Sequence, residues 1–178
     1  MATIDKSRAT DAADVLNDFV GDFITGVMVF REYAAELKAG RISLEMMVGI
    51  QKMCLSNIVL AFAKFEEFWK HYHDVVPVEH RNACKSILNA IRTRKVTEFR
   101  NQVVGHIWNT SKRRPLRQSE IMQALESMAA HDFGAFLDWI NNPKAYTYPP
   151  STVVSIVEAV RNAIVAAHGI SPEEVVNR

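Results

Sequence analysis

Residues 12–38 have the sequence AADVLNDFVGDFITGVMVFREYAAELK, and the short turn Ala39-Gly40-Arg41 follows them. Apolar side chains in this stretch recur at steps of three and four residues, which is the period of one buried helix face. The residues on that face are Val15, Phe19, Phe23, Val27, Phe30 and Ala34. Gly40, directly after the last turn with its basic Lys38, is an ordinary helix stop. The stretch therefore predicts a first helix from about Ala12 to Lys38.

A second apolar stretch after the turn has the same period. Ser43 is suited to cap its N terminus, because a serine oxygen can accept a hydrogen bond from the first helical turn. The stripe then continues to about Asp74 through Met47, Ile50, Cys54, Ile58, Ala61, Phe65, Phe68 and Tyr72. Two helices of about thirty residues are long by the standards of globular proteins. With so short a turn between them, we expect them to pack as an antiparallel pair.

Three further helices are predicted. The third begins near Val78 and carries Cys84, Ile87, Ile91, Val96, Phe99 and Val103 toward the core. The fourth opens at Ser119 and ends around Asn141-Asn142-Pro143. The fifth is capped by Ser151 and stops at Gly169, after His168.

No strand is predicted, so we expect an all-α fold, an antiparallel bundle of about five helices. The chain of 178 residues is most simply one domain spanning 1–178. Residues 1–10 are expected to be flexible. Residues 109–117 and 142–150 are expected to be loops, since both are polar or proline-containing.

Composition limits the kinds of partner. The apolar fraction is 48% and the charged fraction 23%, as in ordinary soluble globular proteins. The net charge of +1 gives no attraction of the whole molecule to nucleic acid, so RNA binding would need a local basic patch. Cys54 and Cys84 both lie in helical patterns. They are expected to be buried, reduced thiols, which favours a cytoplasmic location.

Membrane insertion and secretion are not expected. The N terminus is polar and mixed in charge, unlike a signal peptide. The best apolar run, residues 58–65, is interrupted by Lys64 and followed by Glu66 and Glu67. We therefore expect no run near the ~20 residues needed to cross a bilayer, and a soluble protein.

The segment with the clearest chemical content is residues 99–108, FRNQVVGHIW. Arg100 supplies a permanent planar cation suited to phosphate, and His106 can exchange a proton near neutral pH. On an ideal unbroken helix, a six-residue separation leaves the two about 120° apart. The long arginine side chain could still bend toward the histidine, and a break at Gly105 would change the angle between them. The alternative is that Arg100 lays its stem along the apolar surface and keeps its head in water.

This segment resembles the Arg-x(4–6)-His motif of HEPN domains, helical bundles that include many metal-independent ribonucleases, and it is most similar to the abortive-infection type. The likeness comprises Arg100, the polar Asn101, an apolar middle and His106, in that order. It implies an endoribonuclease in which His106 moves protons, Arg100 stabilises the phosphate and Asn101 positions them. No metal or cofactor is implied.

The resemblance also implies partners. The family's site is usually formed where two subunits meet, so a homodimer is expected. A role as a toxin or phage-defence component follows, with RNA as substrate and an antitoxin or other protein as partner. The family also contains members that bind nucleotides, RNA or proteins without cleavage. A non-catalytic interaction module therefore remains the alternative.

A basic loop follows the motif, and its cations are Lys112, Arg113, Arg114 and Arg117. Arg92, Arg94 and Lys95 precede the motif by one to two turns. Such residues give affinity for phosphate without sequence preference, and Trp108 could stack on an unpaired base. The alternative is a solvated loop beside a core tryptophan.

A metal site is the weaker candidate. His71, His73, Asp74, His80 and Cys84 fall close together in the sequence, and all three residue types bind zinc. Histidines near a helix C terminus also fit the helix dipole without any metal. Glu66 and Glu67 with Lys70 are typical of helix-surface pairs, although an acid from the second helix could also reach the Arg/His pair.

Overall fold

The computed structural model describes residues 5–104, 108–109, 113–144 and 150–176; for residues 102, 108, 109, 118, 172 and 176 the description covers only the backbone. Within these ranges the chain is an all-α helical bundle with one two-stranded pairing. The α-helices are α1 (Lys6–Lys38), α2 (Leu44–Tyr72), α3 (Val78–Thr93), α4 (Val96–Phe99), α5 (Gln118–Met128), α6 (Phe133–Ile140), α7 (Val153–His168) and α8 (Pro172–Val176). A π-helical turn spans Arg100–Val104, and the strands are β1 (Trp108–Asn109) and β2 (Arg114–Pro115).

Helices α1 and α2 form the predicted antiparallel pair. Ser43 caps α2 by accepting a 3.3 Å hydrogen bond from the Met46 amide, as expected. Gly40 turns the chain with φ of +70°, in the left-handed region that glycine adopts without strain. The two helices pack closely at Gly26, where an added Cβ would lie 2.6 Å from Ile58 Cγ1. This close packing explains why α1 has a glycine in its interior.

One continuous core joins α1, α2 and α7. Its largest fully buried side chains include aromatic residues from three helices: Phe19, Phe23, Phe62, Phe65 and Phe136. Helix α1 contacts α2 on one side and α7 on the other. Cys54 and Cys84 are buried free thiols, which confirms that expectation. Burial raises the pKa of the Cys84 thiol to about 12, so this sulfur is unreactive at neutral pH.

Helix α1 begins at Lys6, earlier than the apolar period indicated. The Asp5 carboxylate caps it by accepting a 3.2 Å hydrogen bond from the Ser7 amide. Ala9 and Thr10 are then buried, at 0% and 5% exposure. Residues 5–10, the described part of the segment 1–10, therefore lead into and form the start of α1, where a cap and two small buried side chains hold the first turns.

The predicted third helix is not continuous. It stops at Thr93, and Lys95 takes a left-handed conformation with φ of +55° before α4 begins. The reorientation lets both Val96 and Phe99 be buried, at 0% and 5% exposure. The apolar stripe contains a step of five residues from Ile91 to Val96, which an α-helix cannot keep on one face. The chain bends at the point where the spacing of the apolar residues no longer follows the helical period.

The predicted fourth helix is also divided, because Ala130 and His131 both have positive φ. Asp132 then caps α6 by accepting a 2.8 Å hydrogen bond from the Ala135 amide. For α7 the cap is Thr152 rather than Ser151, with a 3.1 Å hydrogen bond from the Ser155 amide. Gly169 ends α7 as expected, with φ of +58°.

The predictions of no strand and of a loop at residues 109–117 need one correction. Trp108 pairs with Pro115 and Asn109 with Arg114, in a minimal antiparallel ladder inside the predicted loop. Two-residue strands leave no apolar alternation to detect in a sequence. Of the other predicted loop, 142–150, residues 145–149 lie outside the described ranges.

Helix α2 is more apolar than its interruption by Lys64 indicated. Among the described residues it is the one helix long and apolar enough to cross a bilayer by length and composition. The expectation that no such stretch exists was wrong, because averaging over a window tolerates an isolated charge. In this structure 44% of the window is buried, and the helix packs against α1 in the core.

Candidate functional site

The π-helical turn carries the first half of the Arg/His motif. Arg100 is half-buried and Asn101 is exposed. Val103 and Val104 are partly buried and pack against the core. This confirms that Arg100 lies at the edge of the apolar stripe. Among the described residues, none forms a hydrogen bond or ion pair with its guanidinium. His106 and Gly105 lie outside the described residues.

The turn changes the geometry expected for the motif. In a π-helix the hydrogen bonds run from residue i to i+5 rather than i+4, and such turns are frequent at functional sites. The angle of about 120° between Arg100 and His106 assumed an ideal α-helix. It does not apply here, because the five residues from Arg100 to Val104 are not α-helical. The departure from α-geometry begins at Lys95, well before the bend expected near Gly105.

A contact from α2 holds the approach to the turn. The Thr97 hydroxyl donates a 2.8 Å hydrogen bond to Glu66 Oε2, and both residues are partly buried. Glu66 was expected either to form a surface pair or to reach the Arg/His pair. It instead contacts the helix that precedes Arg100, and it ties that short helix to α2.

Arg94 was grouped with the phosphate-binding cations, but it has a structural role. Its guanidinium donates a 3.0 Å hydrogen bond to the Met128 carbonyl. It also lies over the rings of Phe136 and Trp139, 5.4 and 5.0 Å from their centroids. Burial lowers the pKa of this guanidinium, although an arginine stays charged at any physiological pH. Arg94 thus joins the end of α3 to α5 and α6.

The cations of the basic loop divide into two groups. Arg113 and Arg117 are exposed and available to a ligand. Arg114 is engaged, because its two terminal nitrogens donate hydrogen bonds of 2.8 and 2.9 Å to the Glu120 carboxylate. The hydrogen bonds that Arg114 donates to the Glu120 carboxylate raise the pKa of Arg114. Lys112 and the side chain of Trp108 lie outside the described residues.

Glu120 is a residue that the sequence analysis missed. It pairs with Arg114 and also accepts a 2.9 Å hydrogen bond from the Arg117 amide at the start of α5. It therefore connects strand β2 to the first turn of α5. The signal was present, since an acid at the third helical position commonly reaches back to the capping residue.

The weak metal candidate is not assembled. No group of three or more His, Cys, Asp and Glu side chains in the described part of the chain could hold a metal ion. Asp74 instead accepts a 2.9 Å hydrogen bond from Arg8, which lowers the pKa of Asp74. His73 packs against the Trp69 ring, with centroids 5.8 Å apart.

These features define an all-α helical bundle with a short π-helical element that presents Arg100 and Asn101 at its surface. The integron cassette protein Vpc_cass2, from the mobile metagenome of V. paracholerae, has a similar structure, with a TM-score of 0.74. The likeness covers 92% of this chain and 99% of that one, at 22% sequence identity. It shows a shared fold. No protein-family model matches the sequence, and no curated protein matches it.

Proposed function

We propose that the protein is a metal-independent endoribonuclease of the HEPN type, with Arg100, Asn101 and His106 as its site. The observation that carries the proposal is the half-buried residue Arg100, whose guanidinium no described residue neutralises. An arginine at this position can take a phosphate as its counter-ion. It stands on a π-helical turn braced by Thr97 and Glu66, so the cation is held by the fold rather than by a mobile loop.

The proposed reaction is a transesterification within the RNA strand. One His106 removes the proton of a ribose 2′-hydroxyl, whose oxygen attacks the adjacent phosphorus. The bond to the 5′-oxygen of the next nucleotide breaks, and a protonated His106 supplies the proton that this oxygen needs. Arg100 stabilises the negative charge on the five-coordinate phosphate, and Asn101 orients the phosphate through its amide. The products are a 2′,3′-cyclic phosphate and a free 5′-hydroxyl.

Substrate binding would come from local charge. Exposed Arg92, Lys95, Arg113 and Arg117 flank the motif in the sequence. Their contacts would be to phosphates, so affinity should fall steeply with salt and depend little on base sequence. We further propose that the enzyme is a soluble cytoplasmic homodimer whose toxicity an antitoxin partner restrains.

The test is incubation of purified protein with mixed RNA in EDTA. The expected result is cleavage that leaves 2′,3′-cyclic phosphate ends, with loss of at least about a hundredfold in rate for His106→Ala and for Arg100→Ala. A substrate with 2′-O-methyl groups should resist cleavage, since it lacks the attacking hydroxyl. His71→Ala is the matched control, because His71 is exposed at the end of α2 and lies outside the motif.

Two outcomes would overturn the nuclease proposal. One is RNA left intact by the folded wild-type protein. The other is cleavage that persists undiminished in His106→Ala, which would identify a contaminating nuclease. In the first case the favoured function is a non-catalytic HEPN-like interaction module. The exposed apolar side chains on α2, such as Met53 at 62% exposure, favour that second candidate.

A further inference from the structure

A cavity of about 250 Å³ lies where α1, the end of α6 and the start of α7 meet. Ile24 and Met28 line it from α1, and Asn141 lines it from the end of α6. Val154 and Glu158 line it from α7. The volume falls below the range of about 300–1,000 Å³ that is typical for sites of drug-sized ligands. An occupant would therefore be a small metabolite.

Asn141 brings a buried amide group to this cavity, since the residue is only 8% exposed. Its main chain is fully engaged. The main-chain amide donates a 2.9 Å hydrogen bond to the Leu137 carbonyl, and the main-chain carbonyl accepts a 3.1 Å hydrogen bond from Arg31. The side-chain amide, in contrast, forms no hydrogen bond with any described residue. A polar group with so little access to water needs a partner, and a ligand in the cavity can supply one.

Glu158 brings a negative charge to the same cavity. The residue is partly buried, and no cation among the described residues pairs with it. Arg161, three residues later on α7, donates a hydrogen bond to Asn17 instead. Arg31 is paired with Asp138. A partly buried carboxylate without a counter-ion favours a ligand that carries a positive charge.

The start of α7 favours a negative charge beside these two residues. The N-cap Thr152 and Ser155 satisfy each other, because each main-chain amide donates to the hydroxyl of the other, at 3.0 and 3.1 Å. The amides of Val153 and Val154 come first in this helix of 16 residues, and no described residue accepts a hydrogen bond from them. Amides at this position of a helix attract an anion.

We propose that the cavity binds a free α-amino acid with an apolar side chain. The ammonium group of the ligand pairs with the Glu158 carboxylate. The ligand carboxylate accepts hydrogen bonds from the side-chain amide of Asn141 and from the first turn of α7. Its apolar side chain packs against Ile24 and Met28, which face the cavity one helical turn apart.

The charges of the cavity select a zwitterion over an ion of one sign. A simple amine would satisfy Glu158 but leave the Asn141 amide and the start of α7 without a partner. A simple carboxylate would satisfy those donors but leave Glu158 unpaired. Glu158 follows Val154 by four residues, about 6 Å along the helix, and helical side chains lean toward the N terminus. This lean brings the Glu158 carboxylate closer to the first turn, which suits a ligand whose two charges are neighbours.

This inference does not rest on the proposed nuclease function. The walls of the cavity come from α1, α7 and the residues at the end of α6. Arg100 and Asn101 lie on the π-helical turn, which is not part of these walls. A ligand in the cavity would therefore occupy a site separate from the Arg/His motif.

NMR titration of the isotope-labelled full chain tests the proposal, with leucine, valine and methionine as probes. We expect saturable shifts of the Asn141 side-chain amide and of the Val154 main-chain amide. Isovalerate resembles leucine without the ammonium group, and isoamylamine resembles it without the carboxylate. Each should bind at least about tenfold more weakly than leucine, because each loses one charged contact.

Two nearly isosteric variants assign the contacts. Glu158→Gln should weaken leucine binding at least about tenfold and abolish the advantage of leucine over isovalerate. Glu126→Gln is the matched control, because Glu126 is exposed on α5, outside the cavity, and its loss changes the net charge equally. Asn141→Asp replaces the amide donor with a carboxylate, so it should weaken the binding of leucine but not of isoamylamine. Circular dichroism verifies that each variant is folded, and the partly exposed Glu158 keeps the test decisive if Asn141→Asp unfolds.

Three results would overturn the proposal. The first is that none of the three amino acids shifts these amides at millimolar concentration. The second is that isovalerate or isoamylamine binds as tightly as leucine. The third is that folded Glu158→Gln binds leucine with the affinity of the wild type. RNA cleavage plays no part in these readouts, so the nuclease proposal can fail without affecting them.

Discussion

The Thr97 hydroxyl and the Glu66 carboxylate are joined by a 2.8 Å hydrogen bond across 31 residues of sequence. The bond holds the short helix α4 against α2, directly before Arg100. Thr97 lies three residues before Arg100. Its loss should therefore affect both the stability of the bundle and the placement of Arg100.

Thr97→Val should lower the free energy of unfolding by about 1 kcal/mol, because it removes the donor and leaves a partly buried carboxylate unsatisfied. Urea unfolding measures this. Thr93→Val is the matched control, since Thr93 is exposed at the end of α3 and should change little. Equal effects of the two substitutions would show that the Glu66 contact contributes nothing.

Lys95→Gly should stabilise the protein by about 0.5–1 kcal/mol. The left-handed conformation costs a residue with a Cβ about 1–2 kcal/mol, and the entropic cost of glycine offsets part of the gain. Lys95 also forms a 3.9 Å ion pair with Glu98, but both side chains are 64% exposed. The substitution therefore loses little stability by removing this pair. Asn89→Gly, exposed within α3, should instead destabilise the protein. If both glycines destabilise equally, Lys95 is not in a strained conformation.

Gly26→Ala and Gly49→Ala should have opposite effects on the subunit. At Gly26 the new methyl would overlap Ile58, so we expect a loss of about 1–3 kcal/mol. At Gly49 the methyl enters open space, and better helix propensity should add about 1 kcal/mol to the stability of the monomer. Thermal unfolding at low protein concentration compares them. A destabilised Gly49→Ala monomer would contradict the open space seen around this glycine.

Arg94→Met should cost about 2 kcal/mol, through loss of the hydrogen bond to Met128 and of the contacts with Phe136 and Trp139. Arg92→Met is the control, because Arg92 is exposed and should stay within about 0.5 kcal/mol of wild type. RNA-binding assays on folded variants should give the opposite order: Arg92→Met should reduce the affinity for RNA more than Arg94→Met does. A larger affinity loss for folded Arg94→Met would restore Arg94 to the phosphate-binding set.

Acid stability should depend in part on Asp74. The hydrogen bond from Arg8 lowers the pKa of Asp74 in the folded state. A pKa that folding lowers stabilises the folded state at pH values above the pKa of the unfolded state, near 3.9. That contribution is lost as the pH falls through the lower pKa of the folded state. Because this pair is about half exposed, the contribution should be below about 1 kcal/mol. Melting curves of wild type and Asp74→Asn should converge below about pH 4; a constant difference down to pH 2 would contradict this origin.

The α1–α2 pair could be predicted because its signals are local. The apolar period, the Ser43 cap and the Gly40 stop all act within a few residues. The break at Lys95 was missed because lysine carries no preference for positive φ. The five-residue step from Ile91 to Val96 is the one sign of this break in the spacing of the apolar residues.

The candidate site was predictable only in part, because only some of its features depend on residues close together in the sequence. The partly buried position of Arg100 follows from the neighbouring apolar residues Phe99 and Val103. The engagement of Arg94 by Met128 does not, because those residues are 34 positions apart. Arg114 lies on strand β2 and Glu120 in the first turn of α5, six residues later, so no helical spacing indicates their contact. Charge counted along a sequence therefore overestimated the number of cations free to meet a phosphate.

The π-helical turn at Arg100–Val104 also has a consequence for evolution. A π-turn is topologically a single-residue insertion into an α-helix, accommodated without unwinding it. Deleting one residue from this turn would restore ordinary helical phase and rotate the side chains before and after it by about 100° relative to one another. Homologues that differ by one residue between the arginine and the histidine could then present the two in different directions on the same bundle. In such a family, the insertion or deletion of one residue, rather than a substitution, would change which side chains the bundle presents together at its surface.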